Sequence, residues 1–274
     1  HAHIASCMFE NKISDKVIGV SFDGTGYGDD GALWGSEFLI CDYKNYQRIA
    51  HLKYIPLLGQ EQAIKEPWRL TATWLDKIFG DKFLKLDIGF TRNLDKSKWE
   101  ILSKLLSAKN LVLTSSMGRL FDAIAGLVGI REAINYEAQA SIELEMAIKN
   151  FIKISKNYEY KIIEKNEQFI IEPEDIFRGI IDDIRNKKTN NFISQKFHQT
   201  IASLANDMCC KIREKYGLSK VALSGGVFQN MVLLELTYNL LKKNSFKILL
   251  HSQVPCNDGG ISLGQAVIAN ERLE

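Results

Sequence analysis

The apolar positions of the chain follow two patterns, short unbroken runs and longer stretches with a helical period. Residues 16–22 (KVIGVSF) form an unbroken run, which predicts a buried strand. This run leads into residues 23–28 (DGTGYG), a turn too rich in glycine to be helical. Residues 33–41 return to strand character and predict a hairpin with the first strand. Over residues 97–108 the large apolar side chains share one stripe, which predicts an amphipathic helix.

The same patterns continue to the end of the chain. They predict strands over 111–113, 220–223 and 246–250, a hairpin over 158–171, and helices over 60–79, 117–129, 136–153, 172–186, 192–216, 230–244 and from 261 onward. Ser115 or Ser116 is the expected N-cap of the helix that begins at Met117, and Gly217 is expected to end the helix over 192–216. Because strands and helices alternate, the predicted fold class is α/β.

Composition and charge narrow the class of protein. The chain has 274 residues, of which 46% are hydrophobic, enough for a substantial core. Its 35 basic and 33 acidic residues give a net charge of +2, so no overall field favours nucleic acid or a membrane surface. The five cysteines are scattered, without a C-x-x-C pair, and no apolar run has the length of a membrane span. These features predict a cytoplasmic protein.

Three predicted turns carry small, acidic or hydroxyl residues, namely Asp23–Gly28, Ser224–Gly226 and Asn257–Gly260. Such turns let a phosphate approach the backbone N–H groups, and a helix that begins directly afterwards adds its positive end. A Cβ atom at Gly225 is therefore expected to occupy phosphate space. An acid at a strand tip, Asp23 or Asp258, can hold a metal ion next to a phosphate. A single turn of this kind can be only a turn, but three in one α/β chain favour a phosphate or nucleotide cleft.

Other polar residues have both a structural and a functional interpretation. His3 could be a metal ligand, whereas His1 is better explained as an exposed chain end. The remaining histidines have no partner at a useful spacing and are expected to be solvated or in the core: His51, His198 and His251. Cys256 lies beside the Asp258 turn, and packing is its favoured role.

One pair of charged residues follows the predicted cap at Ser116. Arg119 and Asp122 lie one helical turn apart, so they could form a salt bridge with each other or contact a ribose or phosphate. Arg69 also has two interpretations, since it could contact an anion or form a surface ion pair.

Longer motifs are more specific than these single residues. Seven of them, in this order, resemble the C-terminal part of the HypF family of carbamoyltransferases: residues 1–6 (HAHIAS), 23–38 (DGTGYGDDGALWGSEF), 66–69 (EPWR), 114–123 (TSSMGRLFDA), 136–140 (YEAQA), 223–230 (LSGGVFQN) and 257–265 (NDGGISLGQ). The resemblance extends from the first residues almost to the last. It implies an ASKHA lobe, related to ribonuclease H and to the actin-like ATPases, with a mixed sheet flanked by helices.

The resemblance also implies a domain organisation. Residues 1–274 would form the carbamoyltransferase domain, mainly its second lobe. The first lobe and the acylphosphatase, zinc-finger and YrdC-like domains are not recognisable in these residues. The histidine motif of the family reads His-x-x-x-His, and its first histidine would fall before residue 1.

The function that the resemblance implies is carbamoyl transfer in nickel–iron hydrogenase maturation. The carbamoyl group would pass from a carbamoyl-adenylate, made by the YrdC-like domain, to the C-terminal cysteine thiol of the partner protein HypE, and would later become a cyanide ligand. The alternatives are a lobe that binds nucleotide or HypE without turnover, an O-carbamoyltransferase, and an enzyme that transfers threonylcarbamoyl to tRNA. The near-neutral charge does not favour the tRNA alternative.

The resemblance also assigns roles to residues that match the family motifs. Asp23, Gly24 and Thr25 match the phosphate turn. Gly225, Gly226 and Asn230 match the nucleotide loop. Gly118 and Asp122 match the contact on the ribose side. His3 and Asp258 match ligands of a divalent metal, with iron, zinc and magnesium not distinguished. No catalytic residue is assigned, because the implied nucleophile is a thiolate of the partner protein.

Overall fold

A computed structural model describes residues 1–273 and places one mixed β-sheet at their centre. Its strands are β1 (Val17–Tyr27), β2 (Leu33–Cys41), β3 (Tyr46–Leu52), β4 (Ile55–Pro56), β5 (Leu113–Thr114), β6 (Lys161–Lys165), β7 (Gln168–Glu172), β8 (Lys220–Ser224) and β9 (Lys247–Leu249). The spatial order is β6-β7-β3-β2-β1-β8-β9, the short strand β5 pairs with the start of β2, and β4 pairs with β5.

The strand directions decide which turns share an edge of the sheet. Strand β2 is antiparallel to both of its neighbours, β1 and β3. Strand β8 is parallel to β1, with Val20 opposite Leu223, and β9 is parallel to β8. The carboxyl ends of β1, β8 and β9 therefore point to the same edge. This arrangement confirms the predicted α/β class and the mixed sheet, and it is consistent with a ribonuclease H-like lobe.

Helices cover both faces of the sheet. They are α1 (Ala2–Glu10), α2 (Glu61–Lys65), α3 (Trp68–Phe79), α4 (Gly89–Asn93), α5 (Lys96–Ser103), α6 (Met117–Leu127), α7 (Gln139–Met146), α8 (Glu174–Arg185), α9 (Asn190–Tyr216), α10 (Met231–Lys243) and α11 (Ile261–Leu273). No helix within residues 1–273 combines the length and the apolar character needed to cross a membrane.

The two faces of the sheet belong to separate apolar clusters. The larger cluster includes Ile18, Val20 and Phe22 from β1. The smaller one contains Val17 from the opposite face of β1, together with the buried side of α1. Because both faces are covered, residues 17–22 of β1 form an almost continuous apolar run, as the sequence predicts.

Two glycines allow α1 to approach its neighbours closely. A Cβ atom on Gly19 would lie 2.6 Å from a side-chain carbon of Ile4, so a side chain on β1 would push α1 away from the sheet. A Cβ atom on Gly264 of α11 would lie 1.9 Å from the carbonyl oxygen of Ala2. The first turn of α1, which carries His3, is thus fixed between β1 and α11.

Several predicted elements have different bounds in the structure. The predicted helix over 60–79 is divided into α2 and α3 at Glu66–Pro67, since the residue before a proline disfavours the helical region. The predicted helix over 97–108 ends as an α-helix at Ser103 and continues as a short 3₁₀ turn. Ser116, not Ser115, caps α6, because its Oγ accepts a hydrogen bond from the Arg119 N–H group. Helix α1 and strand β3 were not predicted.

The predicted helix over 136–153 is the largest difference, since only Gln139–Met146 is helical. Side chains of α9 form hydrogen bonds with the backbone that follows Met146. The Asn191 Oδ1 atom accepts a hydrogen bond from the Lys149 N–H group at 2.7 Å. Gln195 bonds both the N–H and the carbonyl group of Ile152. Tertiary hydrogen bonds therefore replace the helical ones.

Candidate functional site

A cleft of about 620 Å³ opens where the carboxyl ends of β1 and β8 meet the loop before α11. Its volume is within the range of small-molecule sites. One wall consists of Asp23–Gly24, Gly226 and Asn257–Gly259, which belong to the three glycine turns. The other wall consists of the first turn of α6 and residues between 137 and 145. The three glycine-rich segments predicted to form a phosphate cleft therefore do line one cavity, but residues 23–27 are not a turn, because β1 continues to Tyr27 with an irregular pairing between Phe22 and Gly26.

Hydrogen bonds hold the three turns together. The Asp23 Oδ1 atom accepts a hydrogen bond from the Gly24 N–H group at 2.8 Å and one from the Gly226 N–H group at 3.3 Å. The Gly225 N–H group donates to the carbonyl oxygen of Cys256 at 2.8 Å. The ends of β1 and β8 and the last loop are thus linked directly, although more than 200 residues separate Asp23 from the other two turns.

The N-terminus of α6 is fixed against the end of β1. The Ser116 hydroxyl donates a hydrogen bond to the carbonyl oxygen of Asp23 at 2.8 Å. A Cβ atom on Gly118 would lie only 3.0 Å from the Cα atom of Gly24. This close approach turns the positive end of α6 toward the cleft, which favours an anion there.

A cluster of possible metal ligands lies at one end of the cleft. His3 Nε2 is 2.8 Å from Asp23 Oδ2 and 3.6 Å from Asp258 Oδ1. The three ligand atoms lie within 4.8 Å of one another. One imidazole nitrogen with two carboxylate oxygens suits a divalent transition metal, whereas magnesium prefers oxygen ligands alone. The residues therefore fit a divalent cation, and Asp23 joins the predicted pair of ligands.

The surroundings keep Asp23 ionised. Burial by itself would raise the pKa of this carboxyl group. The hydrogen bond from His3 and those from the Gly24 and Gly226 N–H groups outweigh burial, so the pKa lies below its ordinary value. His1 does not belong to the cluster, because its Nε2 atom contacts the carbonyl oxygen of Asp42 at 2.7 Å. His1 is half-buried, so its interpretation as an exposed chain end was wrong.

His251 lies directly behind the turns, between Ser224 and Glu10. Its Nε2 atom is 2.8 Å from Ser224 Oγ, and its Nδ1 atom is 3.3 Å from Glu10 Oε2. His251 is a core histidine, one of the two expected outcomes, and both of its neighbours are distant in sequence. Ser224 is fully buried, so its hydroxyl cannot reach a substrate and the three residues do not form a nucleophilic triad.

Glu10 connects the last loop to α1. Its carboxylate accepts hydrogen bonds from the N–H groups of Ser252, Gln253 and Val254 and from the Ser252 hydroxyl. The loop that carries Asp258 is thereby attached to the helix that carries His3. This attachment helps to hold the two ligands in a fixed relation.

His198 supports Asn230 from the core. Its Nδ1 atom is 2.8 Å from the Ser194 carbonyl oxygen, which can only accept, so Nδ1 carries the proton. Its Nε2 atom then accepts from the Asn230 Nδ2 atom at 2.8 Å. The Asn230 Oδ1 atom is left to accept from the Leu233 N–H group, which caps α10. Because burial outweighs the bond to Ser194, the pKa of His198 falls to about 4.

The structure places six of the predicted site residues on the cleft surface. They are Asp23, Gly24, Gly118, Gly226, Asn230 and Asp258. His3 completes the ligand cluster at one end. Arg119 also lines the cleft, and the sequence offered it only as an alternative to a salt bridge.

Three predicted site residues lie elsewhere. Thr25 is exposed on the continuation of β1 and is not part of the cleft lining. Gly225 has a φ of 103°, and a Cβ atom there would lie 2.2 Å from the carbonyl oxygen of Phe22. The expectation that this atom would occupy phosphate space was therefore wrong, and the glycine is required by the backbone.

Asp122 is the third of these residues. It is 2% exposed, lies outside the cleft lining and forms the salt bridge with Arg119, with 2.9 Å between Nη2 and Oδ2. Burial raises its pKa, against the lowering effects of Arg119 and the Ser141 hydroxyl. A direct ribose contact would require Asp122 to reach the cleft surface, which this structure does not allow.

A sheet of this order, with a cleft at the carboxyl ends of its parallel strands, has the features of an ASKHA-type lobe. Residues 19–265 match the family model described as the carbamoyltransferase, Kae1-like domain, second subdomain. The chain therefore belongs to the HypF carbamoyltransferase family.

Individual relatives agree with this membership. The chain is 39% identical to the carbamoyltransferase HypF of Synechocystis sp., with 97% of the chain and 36% of the relative covered. It is 33% identical to the probable carbamoyltransferase HypF of Methanocaldococcus jannaschii, with 97% and 34% covered. The chain thus spans about a third of the length of these curated relatives.

Two solved structures share the fold. A full-length HypF in a phosphate- and nucleotide-bound form superimposes with a TM-score of 0.93 at 45% identity and covers 100% of this chain and 35% of that one. The HypF of T. kodakarensis gives 0.86 at 29% identity, with 98% and 36% covered.

Proposed function

We propose that this chain binds a carbamoyl-adenylate in the cleft and transfers its carbamoyl group to the C-terminal cysteine thiol of HypE. The observation that supports this proposal is the meeting of Gly24, Gly118 and Gly226 beside His3, Asp23 and Asp258. These residues place glycines without side chains, the N-terminus of α6 and a possible cation site within one cavity. A HypF of the same fold has been solved with phosphate and nucleotide, which supports a nucleotide as the ligand.

The proposed reaction makes modest demands on the protein. The HypE thiolate attacks the carbamoyl carbon, a C–S bond forms, and the bond to the phosphate oxygen breaks, so AMP leaves with the electron pair. Since AMP is already a good leaving group, the protein mainly positions the reactants and neutralises charge. A cation held by His3, Asp23 and Asp258 would supply positive charge at the phosphate.

The chain needs no nucleophile of its own for this reaction. Ser224 is buried, and burial raises the pKa of the Cys256 thiol, which suits a packing role. The cysteines within residues 1–273 are free, and the proposed acceptor is itself a thiol. Both features fit a reducing compartment, so we place the reaction in the cytoplasm. A YrdC-like domain would supply the carbamoyl-adenylate.

The test is a reconstituted transfer reaction. The chain is incubated with ATP, carbamoyl phosphate, a YrdC-like domain and HypE, and intact HypE is weighed by mass spectrometry. We expect the mass of one carbamoyl group on wild-type HypE and no change on a HypE variant without its terminal cysteine. Nucleotide binding without transfer would limit this chain to a binding role, and transfer to tRNA would assign it to the other branch.

A further inference from the structure

Arg119 is a buried cation with an incomplete set of partners. It is 6% exposed, and the one polar side chain that meets its guanidinium group within residues 1–273 is Asp122. Its Nε atom is buried without a hydrogen-bond partner, and so is the Asp122 Oδ2 atom, so the ion pair is not aligned as a hydrogen bond. Buried polar atoms in native proteins almost always have partners. The ion pair with Asp122 therefore does not account for all the hydrogen-bond donors of Arg119.

The position of Arg119 indicates where this partner binds. Arg119 lines the cleft at the first turn of α6, next to Gly118. A Cβ atom on Gly24 would lie 3.6 Å from the Arg119 Nη2 atom, so the guanidinium group faces the backbone of the β1 turn. The Gly24 N–H group donates to Asp23, which belongs to the cluster of His3, Asp23 and Asp258. An anion against Gly24 would thus lie close to both Arg119 and the ligand cluster.

A purely structural salt bridge does not explain this arrangement. Asp122 already accepts a hydrogen bond from the Ser141 hydroxyl at 2.9 Å, which holds its carboxylate in place. A structural pair would be expected to align its donors with the carboxylate, as Arg131 does with Glu143 through two hydrogen bonds of 2.8 and 2.7 Å. Arg119 instead has a single close carboxylate contact, from Nη2 to Asp122 Oδ2, although the residue lines the cleft.

We propose that Arg119 binds the phosphate group of the nucleotide and that Asp122 is a positioning residue, which holds the guanidinium group at the cleft. This inference rests on the proposed function, because it takes the cleft to be the nucleotide site. The group that Arg119 recognises is a phosphate ester, and the nucleoside contacts belong to the remainder of the cleft. The sequence offered the same role only as one of two alternatives for the Arg119–Asp122 pair.

The test compares AMP with adenosine by isothermal titration calorimetry at a constant Mg²⁺ concentration. Arg119→Gln is expected to weaken AMP binding by about 10- to 100-fold, the range of a lost charge-assisted hydrogen bond. Adenosine, which lacks the phosphate, should bind to the variant and to the wild type with affinities within about twofold. The matched control is Arg69→Gln, which removes an arginine from the first turn of α3 that pairs with Glu66 and lies outside the cleft lining.

The outcomes separate this inference from the proposed function. Unchanged AMP binding in Arg119→Gln, or an equal loss of AMP and adenosine binding, would overturn the role of Arg119. A wild-type chain that binds neither AMP nor adenosine would instead overturn the nucleotide site itself. If Arg119→Gln does not fold because Asp122 is left unpaired, the double variant Arg119→Gln/Asp122→Asn carries the same expectation, since it removes both buried charges.

Discussion

The Nε2 atom of His3 lies 2.8 Å from the Oδ2 atom of Asp23, which joins the first helix of the chain to the first strand of the sheet. Asp258 reaches the same point from a loop near the other end of the chain. The geometry of this cluster depends on how α1 is attached to its neighbours.

Asp258→Asn should weaken divalent-cation binding without affecting the fold. The Asp258 side chain is 79% exposed, so its replacement should change the free energy of unfolding by less than about 0.5 kcal/mol. Loss of one of three ligands should weaken Mn²⁺ or Zn²⁺ binding at least about tenfold, as even outer-sphere changes do. Isothermal titration calorimetry measures the affinities of the variant and of the wild type for these cations. Asp87→Asn, at an exposed residue paired with Arg92, is the control, and equal affinities in the two variants would remove Asp258 from the site.

Glu10→Gln should loosen the loop that carries Asp258 and change the acid stability of the chain. Burial would raise the pKa of Glu10, but the Ser252 hydroxyl and three backbone N–H groups lower it from 4.5 to about 2. A carboxyl group whose folded-state pKa is depressed stabilises the fold above its ordinary pKa, and this contribution is lost as pH falls from about 4.5 to 2.

The variant should therefore be about 1–2 kcal/mol less stable at neutral pH and show a weaker decline in stability below pH 4.5. Urea denaturation of both proteins at several pH values measures this difference. Parallel curves for the two proteins would contradict the role of Glu10.

His198 should make the fold sensitive to mildly acidic pH. Its folded-state pKa is about 4 and its ordinary value 6.5, so the unfolded chain takes up a proton first as pH falls. Stability from this residue is complete above pH 6.5 and is lost between pH 6.5 and 4. The loss over this range is on the order of 3 kcal/mol.

His198→Gln should remove this part of the pH dependence, which chemical denaturation between pH 8 and 4 would measure. An NMR titration of the wild type provides a second readout, since His198 should remain neutral with its proton on Nδ1. A ring that titrates near its ordinary pKa would refute the arrangement with Asn230.

Two adjacent glycines should respond differently to alanine. Gly225→Ala should cost more than about 2 kcal/mol of stability, because the residue needs a positive φ and its Cβ atom would meet Phe22. Gly226→Ala should cost less than about 1 kcal/mol, since its Cβ atom would lie 3.0 Å from Asp23 Oδ1, a side-chain atom. Only Gly226→Ala is expected to yield a stable protein with reduced AMP affinity. Thermal melts and AMP titrations of both variants test this contrast. A larger loss of stability in Gly226→Ala than in Gly225→Ala would disprove it.

Much of the fold follows from local patterns. The β1–β2 hairpin, the turn after β8 and the end of α9 at Gly217 agree with the sequence-based predictions, because each depends on residues a few positions apart. Disagreements arise where a distant group competes with the local preference. The backbone after Met146 does not continue the helix, since Asn191 and Gln195 of α9 bond to it.

For the candidate site too, the sequence identifies the residues in local motifs but not the contacts between distant residues. Its glycines, its acids and His3 are recognisable from their motifs, because the residue types suit phosphate and metal chemistry. The sequence contains no signal that joins Glu10 to the loop at 252–254, or His251 to Ser224, since these contacts span long separations along the chain. It also could not decide between the two roles of the Arg119–Asp122 pair.

The sequence by itself determined the α/β class, the three glycine-rich segments and the family of this chain, since periodicity and motifs are properties of neighbouring residues. Only the tertiary structure decided that Asp23 joins His3 and Asp258, that Gly225 serves the backbone and that Arg119 faces the cleft. Those outcomes depend on the order and direction of β1, β8 and β9 and on the attachment of α1, because strand pairing brings together residues from opposite ends of the chain.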